Sequence, residues 1–268
     1  MPLPEIDFNL ATDDTIIDLL MANGCVLLRH FVDGDRVAST RRHVEELYSQ
    51  IAAVHVYARD LRARGLPMFH EGLFNARHQV FLAALFGKHG ATCSEETIAR
   101  SIDPALKEVD ARWLKPLNPH IDAFSHAPEF TANFWMPLQE CGPTVPRLAV
   151  VPASFAEILE FTGYDAAREP SPSGTARRFL PQFAPRMRAL FAGEPETLVW
   201  FRDHFGARIW APTYRPGDAM LLTNWTIHLT HATEDMETRR TNLELRFSGT
   251  ASLQDIRTAH TPATGRSA

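Results

Sequence analysis

The chain has only three cysteines, Cys25, Cys93 and Cys141, and they lie far apart. An odd, scattered set builds neither a disulfide framework nor a zinc knuckle, so three reduced and mostly buried thiols are expected. Cationic excess is also missing, because 27 Lys and Arg face 32 Asp and Glu for a formal charge of -5. That balance argues against a broad footprint on a phosphate backbone or an anionic membrane, and no nucleic-acid partner is expected. No apolar run approaches the roughly 20 residues that span a bilayer. The acidic opening stretch MPLPEIDFNLATDD lacks the basic-then-apolar order of a secretory leader. A cytoplasmic location follows as an expectation, with the sequon Asn224-Trp225-Thr226 accidental.

Several catalytic signatures are absent as well. There is no Gly-x-Gly-x-x-Gly loop, no Walker loop at Gly87-Lys88 and no His-Glu-x-x-His helix. Nicotinamide-dependent, nucleotide-hydrolysing and zinc-protease readings lose support accordingly. Tyrosine is scarce, 4 residues against 17 Phe, so the rings available for a core or pocket are mostly purely apolar.

What is present suits one globular domain over residues 1–252 and a flexible tail over 253–268, with monomer and homodimer both open. Thr12-Asp13-Asp14 caps a helix that Gly24 ends, and residues 26–31 read as a short strand. A helical period then runs through RVASTRRHVEELYSQIAAVHVYARDLRARG as one long helix, and another helix is expected over 75–89. From about residue 110 the apolar runs shorten. TANFWMPLQE, RLAVVP, ARIWAPTY, DAMLLTN and TNLELRFSG read as strands, with SFAEILEFTG and RRFLPQFAPRMRALFAG as helix or crossover. A helical front followed by short strands implies a mainly β fold with supporting helices, a sandwich or an open barrel.

His120 and Asp122 stand two positions apart, so in extended chain both donors share a face while Ile121 points away. A third donor, His228, comes 108 positions later, where the strand opened by Pro216-Gly217-Asp218 gives way to a loop. Two histidines and one carboxylate form the facial triad with which non-haem iron(II) keeps adjacent positions for a bidentate co-substrate and oxygen. Zinc takes the same donors, and a lone His-x-Asp can equally be a hydrogen-bonded loop pair. His231 competes with His228 for the distal place, and Asp218 reads as a turn residue.

Alternation along residues 238–247 places Arg239, Thr241, Leu243, Leu245 and Phe247 on one face and Arg240, Asn242, Glu244 and Arg246 on the other. Arg239 then enters a mostly apolar face, where its charge needs a partner, and the carboxylate of a co-substrate is one. A protein carboxylate is the alternative, and a one-residue slip in register would hand the role to Arg240.

GCVLLRHFVDGDRV, His120-Ile121-Asp122, NFWMPL, PGDAMLLTNWTIH and RRTNLELRF occur in that order over most of the chain. Together they resemble the phytanoyl-CoA dioxygenase-like family of iron(II)/2-oxoglutarate oxygenases. The resemblance implies a double-stranded β-helix, a cupin-like jelly-roll, supported by N-terminal helices. It implies His120 and Asp122 as proximal ligands, His228 as the distal one, and Arg239 as the residue on the far carboxylate of 2-oxoglutarate. The implied reaction uses Fe(II), 2-oxoglutarate and O2 to hydroxylate a small organic molecule, giving succinate and CO2. Related halogenases have a small residue in place of the carboxylate that Asp122 supplies here. Where members commonly read Pro-Gly-Ser-His, this chain has Pro152-Ala153-Ser154-Phe155, which argues against carrying over an acyl-CoA substrate. A free acid, amino acid derivative or secondary metabolite is expected instead.

Thr131 and Asn133 are further candidates for holding the co-substrate carboxylate, and Phe124, His126, Trp135 and Trp225 for the substrate pocket. Each has a plain packing or surface alternative. Two other functions stay in play: a non-catalytic jelly-roll binding protein, and a cupin-like metal enzyme that does not use 2-oxoglutarate.

Overall fold

A computed structural model describes residues 3–51, 55–87, 90–103, 118–122, 129–162 and 185–252 of the chain. The expected tail over 253–268, and Phe124 and His126, lie outside the described residues.

Among the described residues, ten strands carry the architecture. They are β1 (Glu5–Asp7), β2 (Cys25–Arg29), β3 (His55–Tyr57), β4 (Thr92–Cys93), β5 (Ile98–Ile102), β6 (Glu129–Pro137), β7 (Arg147–Val150), β8 (Ala219–Thr223), β9 (His228–His231) and β10 (Arg240–Ser252). Eight form a mixed sheet in the order β1-β2-β8-β6-β10-β5-β3, with β4 also on β10, while β7 and β9 pair as a second, two-stranded sheet.

Strand alternation divides the large sheet into two environments. Val26 and Leu28, Ala132 and Phe134, Ala219 and Leu221, and Leu243, Leu245 and Phe247 point into one core. That core is closed by helices α1 (Asp13–Asn23), α2 (Gly34–Ile51), α3 (Ala58–Ala63), α4 (Phe69–Leu73) and α5 (Ala76–Phe86). The intervening residues Cys25, Leu27, Trp135, Met220 and Leu222 pack the opposite way with Leu148 and Val150 of the small sheet. The functional cavity opens on this second side.

Local chemistry explains most boundaries. Thr12 Oγ1 accepts from the Thr15 N–H at 3.3 Å at the start of α1, and Gly24, with φ +70, closes it by donating to Leu20 O at 2.7 Å. Asn75 caps α5, its side chain accepting from the Arg77 and His78 N–H groups. The expected single long helix is broken, however. It stops at Ile51; β3 then pairs with β5 at the sheet edge, and α3 restarts where the Asp60 carboxylate accepts from the Tyr57 N–H. Three residues are too few for periodicity to tell strand from helix, and cross-strand pairing decides. ARIWAPTY also differs from expectation. Trp210 and Tyr214 make only isolated bridges, to Val150 and Cys141, with Pro212 between them denying the ladder a donor.

Cys25 and Cys141 are buried, Cys93 is half-buried, and all three are free thiols. Among the described residues no helix is long and apolar enough to cross a membrane.

Candidate metal centre

His228 opens β9 instead of trailing β8, and this is what brings it to His120. The two residues face each other across an isolated antiparallel bridge in which each N–H donates to the other's carbonyl at 2.9 Å. Their ring centroids lie 4.2 Å apart. Asp122 follows two positions later, with Oδ1 at 4.0 Å from His120 Nε2 and 3.6 Å from His228 Nε2. Ligand atoms from the three side chains all fall within 4.8 Å of one another, the only such cluster of three found among the described residues.

Ring orientation is set from behind. His120 Nδ1 donates to Asn118 O at 2.7 Å and His228 Nδ1 to Thr226 O at 2.9 Å. A carbonyl only accepts, so each Nδ1 carries a proton and each Nε2 is the ring nitrogen turned to the shared space beside Asp122. Burial, and then the neighbouring His228, holds the pKa of His120 down at about 3, which keeps the imidazole in its ligating form.

The triad sits in the wall of a cavity of about 290 Å³, a size suited to small molecules. From the large sheet come Ile98, Arg100, Asn133, Trp135, Leu222, Arg240, Glu244 and Arg246; Leu148, Thr230 and Phe191 face them. The cavity wall is thus the face of β10 that carries Arg240, Glu244 and Arg246, while the Leu243, Leu245, Phe247 face meets the helices.

This corrects the expected arginine. Arg239 is exposed, with Nε on Ser101 Oγ at 2.5 Å. Arg240 is 2% exposed and lines the cavity, its Nε donating to Asn242 Oδ1 at 3.0 Å and its guanidinium 5.0 Å over the Trp135 ring. Among the described residues its Nη1 and the Asn242 Nδ2 find no hydrogen-bond partner. Burial lowers the Arg240 pKa to about 10, so the group is still a cation at neutral pH and has a donor to spare.

Of the other expected site residues, Asn133 and Trp135 line the cavity. Asn133 Nδ2 donates to Asp122 Oδ2 at 3.2 Å. Thr131 lies outside the described lining, its backbone paired with Asn224. Trp225 belongs to the helix-side core, where its ring meets Phe155 at 5.4 Å beside a minor cavity of about 10 Å³. Its place in the substrate pocket is therefore withdrawn: the turn after β8 directs the indole away from His228. His231 is half-buried at the far end of β9, opposite Arg147. Asp218 takes the turn role, accepting from the Arg215 N–H at 2.9 Å and pairing with Arg29 at 2.5 Å.

Sequence reasoning overlooked Arg100, Glu244, Arg246 and Phe191. Phe191 is half-exposed and packs 5.4 Å from the His120 ring at the cavity rim. The three charged residues had a visible signal, since strand alternation already put two of them beside Arg240.

No protein-family model and no curated protein matches the sequence. Solved structures do share its fold. The non-heme alpha ketoglutarate dependent epimerase SnoN from nogalamycin biosynthesis, solved with Fe3+, alpha ketoglutarate and nogalamycin RO, is 15% identical with a TM-score of 0.57, covering 94% of this chain and 91% of that one. The carbocyclase SnoK of the same biosynthesis is 12% identical with a TM-score of 0.55, over 96% and 93% of the two chains. EctD from S. alaskensis, solved with 2-oxoglutarate and 5-hydroxyectoine, is 14% identical with a TM-score of 0.58, over 88% and 76%. At such identities the likeness is one of fold.

Proposed function

We propose that this chain is an Fe(II)/2-oxoglutarate-dependent oxygenase that hydroxylates a small organic molecule, built on a double-stranded β-helix. One observation carries the reading: ligand atoms of two imidazoles and a carboxylate lie within 4.8 Å of one another in the wall of a cavity that also holds a buried, under-satisfied arginine. The donor set fits iron(II), and with Asp122 present three protein ligands leave room for a chelating co-substrate.

His120, Asp122 and His228 would hold the metal. Iron with 2-oxoglutarate and O2 bound supplies the oxidant for hydroxylation, with release of succinate and CO2. Arg240 would receive the distal carboxylate of 2-oxoglutarate, offering Nη1 while Asn242 steadies Nε and Trp135 backs the guanidinium plane. The apolar side chains Ile98, Leu148, Leu222 and Phe191 exclude water from that interior and, with Phe191 at the rim, form the surface a substrate would meet. The free thiols suit a cytoplasmic setting.

Titration of anaerobic, iron(II)-loaded protein with 2-oxoglutarate tests the proposal. A weak visible charge-transfer band should grow in and be lost in His228→Ala; folded, iron-loaded protein that gives no band rules out 2-oxoglutarate chelation.

A further inference from the structure

The metal-ligating aspartate is gripped from outside the triad. Asp122 Oδ1 faces the two imidazoles, whereas Oδ2 accepts from Arg246 Nη2 at 3.3 Å and Asn133 Nδ2 at 3.2 Å. Arg246 is itself held firmly. Its Nη2 also donates to Glu244 Oε2 at 2.7 Å, its Nη1 donates to Glu96 O at 2.7 Å, and its backbone N–H donates to Thr97 Oγ1 at 2.9 Å. Asp122, Asn133, Glu244 and Arg246 are all buried, so these bonds work with little competition from water.

We propose that Arg246, steadied by Glu244, is a positioning residue that clamps Asp122 by its outer oxygen, so that the carboxylate presents Oδ1 alone to the metal. This rests on the metal-centre reading above and concerns how that site is kept open. A carboxylate oxygen has about two lone-pair directions, and two donors occupy those of Oδ2. Released from them, Asp122 could turn both oxygens to the metal and fill a position that a chelating co-substrate needs. The arginine suits the task better than a lysine, because Nη2 meets both carboxylates while Nη1, fixed in the same plane, is anchored on the Glu96 carbonyl.

Cobalt(II) reports the clamp without turnover. Apo protein is titrated with Co(II), reading affinity and the visible d–d band, for wild type, Arg246→Met, Arg246→Lys and Glu244→Gln, with circular dichroism as the folding check. Arg246→Met should bind Co(II) about 10–100-fold more weakly, as losses behind a ligand commonly do. Its d–d band should change in position and intensity as the second carboxylate oxygen takes a place on the metal. Arg246→Lys should fall between the two, because it keeps the charge and loses the fork. Wild-type affinity and band shape in a folded Arg246→Met would overturn the clamp. If that variant does not fold, Arg246→Lys and Glu244→Gln decide: unchanged affinity and band in both overturns the clamp, and weaker binding with an altered band supports it. Adding 2-oxoglutarate to the wild-type Co(II) protein tests the functional proposal separately. A spectrum indifferent to the keto acid counts against 2-oxoglutarate use and leaves the role of Arg246 to be decided by the variants' metal affinity alone.

Discussion

Two adjacent arginines, Arg239 and Arg240, differ by a single step of the β pleat and so by everything that matters to the cavity. One is exposed on Ser101, and the other is buried over Trp135 with a donor unspent. Arg240→Ala should weaken 2-oxoglutarate binding about 10–100-fold, the equivalent of roughly 1.5–3 kcal/mol for charge-assisted hydrogen bonds. Arg239→Ala should leave it within about twofold. Equilibrium titration of the charge-transfer band measures both, and the reverse ranking would return the role to Arg239. The sequence made the alternation legible but not which face lines the cavity. Charged side chains on β10 read as solvent-facing, and they are buried here because Arg246 and Arg100 pair with Glu244 and Asp122.

Elements that carry the site were readable where a turn or an apolar run marked them and not where distant pairing alone makes the strand. The centres of β6, β8 and β10 are evident from alternation, and the cap at Asn75 marks α5. Strands β3, β5 and β9 were hidden, since their short runs carry no clear pattern of their own and are made strands by cross-strand pairing. The turn into β8 was visible as Pro-Gly-Asp, and the structure shows why glycine stands there. Gly217 has φ +98, and a Cβ on it would overlap the Val32 carbonyl oxygen, while its own carbonyl accepts from the Val32 N–H at 2.9 Å. Gly217→Ala should therefore cost about 2 kcal/mol or more, read as a lower urea midpoint. An unchanged midpoint would mean that the turn relaxes freely.

At the scale of the whole molecule, one buried and two half-buried histidines oppose protonation of the folded chain. His78 lies among Phe8, Phe31 and Phe74, and burial is the largest cause of its lowered pKa, as it is for His55 and His70. The unfolded chain takes up these protons below about pH 6.5, and the folded chain resists them. Their contribution is fully present above that pH and is lost as pH falls through it toward the lower folded values. The apoprotein's Tm should be level from pH 8 to 7 and decline from about pH 6.5; a level profile down to pH 5 would contradict the burial of these rings. Metal acts in the opposite direction by mass action. Fe(II) or Co(II) at about 100 times its Kd should add about 2.7 kcal/mol, a Tm rise on the order of 5–10 °C that EDTA reverses.

The bridge between His120 and His228 has a kinetic side. Two ligands 108 positions apart exchange backbone hydrogen bonds, so neither can meet the metal with its partner until that long loop has closed and the small sheet has docked. Loop closure of this length is an entropic cost met during folding, and non-local pairing of this kind comes slowly. The complete three-ligand socket thus exists only once that pairing is made. Refolding rates should be the same with and without cobalt, while unfolding slows in its presence, so bound metal lengthens the life of the native state without hastening its birth.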